Sequence, residues 1–244
     1  MIKLDDVTLV AVATTEVEAT VKALAYSILG IEFACIKLFS HVLPENLPAS
    51  TQFIKIDAFP DVGEWGRFVV FDLHKYIDTK HIMLVHSDGF IINPDMWRQE
   101  FLDFDYIGAP WPMPEDDYSF RDYYGNVIRV GNSVGLRSLK ILKLPSELGL
   151  PWDADHHGNR HEDIFLCVTN RHILQKQGIE FAPLSVARYF SHERPVSETS
   201  GIKPFAFHKW MGPNETYPCF TAKHKKQTTF QKLKKLFQRI KGRT

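Results

Sequence analysis

Apolar positions along this chain fall into short continuous runs alternating with spaced sets. Val7-Thr-Leu-Val-Ala-Val-Ala13 predicts a strand by composition. Thr14-Thr15-Glu16 then offers a hydroxyl cap and an acidic first turn, and Val17, Val21, Leu24, Ala25 and Ile28 follow at helical spacing up to Gly30. Phe33 to Phe39 predicts a second strand and Thr51 to Ile56 a third. Trp65 to Ile77 has helical spacing and leads into Ile82-Met-Leu-Val85, an apolar run suited to a strand buried on both faces. This order argues for an α/β fold with a mostly parallel, doubly wound, Rossmann-like sheet and helices on both faces. Thr14, Thr15 and Asp88 would then share the carboxyl edge of the sheet, where open α/β sheets place ligands.

The second half alternates less regularly. Met96 to Phe104 predicts a short helix, and Asp105 to Trp111 a strand entering a rigid turn. Pro112 to Gly125 is polar, aromatic and Pro-containing, which predicts a loop over the sheet edge. Val127 to Val130 suits a strand, Gly131-Asn-Ser-Val-Gly135 a glycine-bracketed turn, and Ser138 to Leu144 a helix. Glu162 and Asp163 head an apolar helical run, while Phe181-Ala-Pro183 and Ala187 to Phe190 suit short extended pieces. Phe205 to Trp210 is a last aromatic strand or turn.

The chemistry concentrates around His86-Ser87-Asp88-Gly89, which closes the run at 82–85. A carboxylate at a strand end suits a divalent cation that grips phosphate, and the same four residues also suit a plain hairpin turn. Gly131 to Gly135 lacks the Lys and Ser/Thr of a phosphate-cradling Walker loop, which excludes that ATPase class.

Five segments in order carry a resemblance: Ser-Asp-Gly-Phe-Ile, Asp-Tyr-Ile-Gly-Ala-Pro-Trp, Gly-Asn-Ser-Val-Gly-Leu-Arg-Ser, His-Glu-Asp-Ile-Phe and Pro-Phe-Ala-Phe-His-Lys-Trp. Together they resemble a bacterial and fungal group of glycosyltransferase-like proteins of the GT-A type, known mostly as a domain of unknown function, across about residues 7–210. The resemblance implies sugar transfer from a nucleotide-sugar, with a UDP-sugar favoured, to a glycan or lipid-linked acceptor, with inversion. It implies Asp88 and His208 as ligands of Mn²⁺ or Mg²⁺, although one acid stands where two are usual. Asp163, with Glu162 as its rival, matches the catalytic base. Thr14 and Thr15 match the donor side, and Asn132 and Ser133 the sugar- or acceptor-facing turn. By residue type and position Arg67, Ser87 and Gly89 are further donor candidates, and Trp111, which could stack on a sugar face, and His161 further acceptor candidates. Two other readings stay open: a non-catalytic sugar- or nucleotide-binding module, and a metal-dependent hydrolase using the His-rich segment 153–163.

Composition narrows the setting. The 244 residues are 44% hydrophobic and 13% aromatic, which suits a packed core. The N-terminus lacks the apolar core of a signal peptide, and Cys35, Cys167 and Cys219 are few and scattered, so a reducing, cytoplasmic setting is expected. Net charge is zero, yet nine of the 29 basic residues lie in 223–244, a stretch without Asp or Glu. Phe230, Leu233, Leu236, Phe237 and Ile240 are helically spaced there between lysines and arginines. The expectation is a domain over 1–221 and a basic amphipathic helix over 222–244, lying on the inner face of a membrane or on a partner domain, with no specific nucleic acid.

Overall fold

The structure is a computed structural model that describes residues 1–154 and 158–221. Asp155, His156 and His157, and the basic segment 222–244, lie outside the described residues. Along the described chain the strands are β1 (Ile2–Val12), β2 (Ile31–Ser40), β3 (Thr51–Lys55), β4 (His81–Val85), β5 (Gly89–Ile91), β6 (Tyr106–Pro110), β7 (Val130–Ser138), β8 (Ser191–His192) and β9 (Ala206–His208). The helices are α1 (Val17–Ser27), α2 (Val62–Phe71), α3 (Leu139–Glu147), α4 (Glu162–Ile164), α5 (Arg171–Lys176) and α6 (Leu184–Phe190).

Six strands form one sheet in the order β3-β2-β1-β4-β7-β6. The pairs among β1, β2, β3 and β4 are parallel, and β7 runs antiparallel to both of its neighbours. The expected mostly parallel α/β architecture is therefore present. Two-residue alternation explains the layering. Leu9, Ala11, Met83 and Val85 pack with α1 and α6 on one face, whereas Val10, Val12, Ile82 and Leu84 pack with α2 and α3 on the other. A second, three-stranded sheet, β5-β9-β8, lies on the α1 and α6 side, with Phe90 and Phe207 in the same core cluster.

Several sequence expectations need correction. Gly131 to Gly135 is the middle of the nine-residue β7, not a turn. A Cβ on Gly131 would sit 2.1 Å from the Trp111 ring, and one on Gly135 2.7 Å from the Ile107 carbonyl oxygen. The glycines serve close strand packing there. Residues 184–190 form a helix, and 94–103 two short 3-10 turns in place of one helix. The helix expected over 65–77 starts at Val62, capped by Asp61, whose carboxylate accepts from Glu64 N at 2.9 Å, and gives way to a 3-10 turn at 73–76. At α1 the cap position is Glu16, left-handed at φ 51° with no side-chain cap bond, so neither Thr14 nor Thr15 caps that helix. All three cysteines are free. Among the described residues no helix is long and apolar enough to cross a membrane.

Candidate active site

The backbone at the end of β4 makes a hairpin and a ligand edge at once. His86 and Gly89 face each other across Ser87-Asp88, with His86 N donating to Gly89 O at 2.7 Å. The Asp88 carbonyl accepts from Lys209 N at 2.7 Å, and the Asp88 Oδ1 lies 3.6 Å from His208 Nε2. The turn thus ties the large sheet to the small one, since Gly89 pairs with His208 across β5 and β9. Gly89 itself does not line the cleft. A Cβ there would meet Val134 Cγ2 at 2.5 Å and the Phe207 carbonyl oxygen at 2.9 Å. Gly89→Ala is therefore expected to lower stability by about 1–3 kcal/mol through overpacking, read as a lower urea midpoint.

His208 has a second acidic neighbour, Glu193, which sequence reasoning missed: Glu193 Oε1 is 3.4 Å from His208 Nδ1 and 2.8 Å from Lys209 Nζ. Burial opposes charge on His208, but its two carboxylate neighbours, Asp88 and Glu193, raise it to about 9. Burial likewise opposes ionisation of Asp88, yet His208, then His86 and Lys209, hold that carboxyl well below its usual range. Against the same burial, His208 and Lys209 hold Glu193 at about 2. His86 goes the other way. Burial and then the charge on His208 bring it down to about 4, so its ring is neutral, edge-on to Trp65 at 5.2 Å. Lys209 adopts a left-handed backbone, φ 64°, unusual for a side chain of its size.

These donors suit a divalent cation in part. Asp88 offers carboxylate oxygens and His208 an imidazole nitrogen, and a carboxylate behind the other ring nitrogen is the usual support of a metal-binding histidine. Among the described residues no three His, Cys, Asp or Glu side chains converge on one point. Phosphate oxygens and water would have to fill the remaining positions of an octahedral ion.

The two acids that head α4 part company. Glu162 is buried and forms an ion pair at 2.9 Å with Arg137 of β7, itself wholly buried. It does not line the cleft, which removes it as the rival base. Asp163 does line the cleft. Burial, and next the charge of Glu162, raise its carboxyl to about 7. A carboxyl titrating there is suited to proton transfer near neutral pH.

The cleft encloses about 1770 Å³ and brings together Thr14, Thr15, Ser87, Asp88, Trp111, Ser133, His161, Asp163 and His208. Thr14 Oγ1 accepts from Phe59 N at 3.2 Å. Arg67 is not among the lining groups. It lies exposed on α2, 3.8 Å from Asp72, because its position on that helix faces away from the sheet edge. Asn132 is 1% exposed, left-handed at φ 96°, and its Oδ1 accepts from Val134 N at 2.8 Å, so it sits in the register shift of β7 against β6 and is withheld from any acceptor. Trp111 lies on Gly131 and against Phe120, with ring centroids 4.8 Å apart. Trp152 packs on Phe71 and Phe165 instead of the cleft.

Comparison with known proteins adds a lineage. A family described as "Protein of unknown function (DUF5672)" matches residues 51–208. No curated protein matches the sequence. The crystal structure of the apo-form glycosyltransferase GlyE in Streptococcus pneumoniae TIGR4 is similar with a TM-score of 0.45 and 11% sequence identity, over 82% of this chain and 53% of that one. The chain thus spans about half the length of that structure.

Proposed function

Since the chain belongs to the DUF5672 family, which brings no established activity with it, we propose a function from the cleft itself: transfer of a sugar from a nucleotide-sugar, UDP-sugars first, to a glycan or lipid-linked acceptor. The observation that carries this reading is the pairing of Asp163, raised to about 7, with the charged cluster of Asp88, Glu193, His208 and Lys209 in one cleft. Glycosyl transfer needs a base for the acceptor and a charged cradle for the leaving diphosphate, and the cleft holds candidates for both.

In an inverting displacement, Asp163 takes the proton of the acceptor hydroxyl as its oxygen bonds to the anomeric carbon. The bond from that carbon to the diphosphate oxygen breaks, and the electron pair leaves with the diphosphate. Lys209 and His208 bring positive charge to that side of the cleft. Asp88 would hold Mn²⁺ or Mg²⁺, with His208 as a ligand only on giving up its proton, and the ion would then supply positive charge to the leaving group in place of the imidazolium. Trp111, Ser133 and His161 also line the cleft and are the residues assigned to a sugar acceptor. The basic segment 222–244, with its lysines and arginines, favours an acceptor at an anionic membrane surface.

The test is thermal unfolding with UDP, GDP or CMP, each with and without Mn²⁺. Ligand that binds only the folded chain raises the midpoint by mass action. The expected result is a shift with UDP that grows with Mn²⁺, the Mn²⁺-dependent part being lost in Asp88→Ala. Absence of a shift with every nucleotide would overturn the reading.

A further inference from the structure

The Arg137–Glu162 pair lies beneath the cleft, unused by the chemistry above. Arg137 is fully buried. Its Nη2 donates to Glu162 Oε1 at 2.9 Å and to the Ser133 carbonyl at 3.2 Å, and its carbon Cζ sits 5.4 Å from the centre of the Tyr106 ring. Its Nε and Nη1 have no hydrogen-bond partner among the described residues. The Tyr106 hydroxyl is engaged elsewhere, donating to the Asn132 carbonyl at 2.5 Å. A buried ion pair contributes little stability compared with well-packed apolar side chains, and an incompletely bonded guanidinium contributes less. Stability is therefore a poor reason for placing this pair here. Its position is the better one, because Glu162 immediately precedes Asp163 on the first turn of α4.

We propose that Arg137 and Glu162 are positioning residues for Asp163: they pin the first turn of α4 so that Asp163 alone of the two acids reaches the cleft, and they set a permanent negative charge beside it. The inference rests on the transferase reading only for its purpose, since the arrangement can be measured without any substrate. Arg137 and the Ser133 hydroxyl keep Glu162 ionised in spite of its burial. The groups that face Asp163 are Glu162 and the Ile164 amide on its own turn, Arg137 from β7, Glu193 beyond β8, and, as weaker neighbours, Tyr106 of β6 and Cys167. After burial, Glu162 acts on it most strongly, and Arg137 opposes it least. Removing the pair together should therefore ease the ionisation of Asp163.

The experiment is a pH titration of the full chain carrying ¹³C-labelled Asp and Glu carboxyls, with the Asp163 signal assigned through Asp163→Asn. In the unaltered protein, Asp163 is expected to titrate near neutral pH and Glu162 to stay ionised there, its carboxyl held below the ordinary glutamate range. In Arg137→Met/Glu162→Met, where both charges leave together and methionine fills the space, the Asp163 midpoint should fall by about half a pH unit or more. Glu162→Gln should move it the same way. An Asp163 midpoint unchanged in the folded variants would leave the pair a merely structural role and overturn the proposal. Should neither variant fold, the unaltered protein still decides: Glu162 taking up the neutral-pH proton in place of Asp163 would also overturn it. Failure of nucleotides to shift thermal unfolding, with these titrations as expected, would remove the transferase reading alone.

Discussion

Asp163→Asn is expected to lower turnover by roughly 10²–10⁴-fold, the usual worth of a positioned general base, while leaving the nucleotide-dependent thermal shift intact. The amide keeps the shape of the carboxyl and can still accept from the Ile164 amide, which donates to Asp163 Oδ1 at 2.8 Å. It cannot take the acceptor proton. The same variant carries a stability signature of definite sign. In the folded chain this carboxyl holds its proton to about pH 7, against an ordinary value of 3.8. Between those values the unfolded chain gives up the proton first, so the native protein loses stability as pH rises through that window. Above about pH 7 the loss is complete and constant. Asparagine has no such loss, so the variant should match the unaltered protein near pH 4 and exceed it at pH 8, by on the order of 2–4 kcal/mol. Urea unfolding at the two pH values checks this. A variant that is less stable at pH 8, or fully active, would remove Asp163 from the role of base.

Gly108→Ala should be the most damaging single methyl in the described chain, at a cost of about 3 kcal/mol or more. A Cβ at Gly108 would lie 1.8 Å from the Gly131 carbonyl oxygen and 2.7 Å from its carbon. Both obstacles are backbone, so no side-chain rotation relieves them. The register between β6 and β7 already breaks between Ile107 and Ala109, and the two strands press together there. Parting them would also displace Trp111, which follows β6 and lies on Gly131. The contrast is Gly125→Ala. Nothing lies within 4 Å of its added Cβ, and only its positive φ of 83° opposes the change, for about 1–2 kcal/mol. Comparable losses at the two positions would mean that β6 and β7 are not in the close contact described.

Local signals were sufficient for the parallel half of the sheet. The runs at 7–13, 33–39 and 82–85 are apolar because both faces of those strands are covered, and composition records that directly. The same logic misread β7. Gly131, Gly135 and Arg137 look like turn and surface residues, yet the glycines admit a neighbouring strand and an indole, and Arg137 is buried against a carboxylate 25 residues away. α6 was also hidden, because Val186, Tyr189 and Phe190 favour strands by themselves while tertiary packing of Ala187 and Phe190 in the core decides for helix. In the cleft, Asp88, His208 and Asp163 were legible from their segments. Glu193 and Lys209 were not singled out as partners: they are far apart in sequence, and only the pairing of β8 with β9 brings them within 2.8 Å. Arg67 shows the converse error, where a plausible residue type sits on the outward side of its helix.

The small sheet also fixes when the cleft can exist during synthesis. All six strands of the large sheet are complete once residue 138 has been made. His208 arrives about 120 residues after Asp88, and β5 has no partner strand until β9 is available. Phe90, the centre of β5, waits in addition for Phe220, whose ring stacks on it at 5.3 Å. A nascent chain emerging in order would thus hold a nearly finished sheet and an open, unassembled cleft until almost all described residues had left the ribosome. Closing so long a loop is a slow step, and until it happens the apolar face of β5 is uncovered. Ribosome-bound chains ending before residue 204 should therefore bind chaperones more readily than those extended past 221.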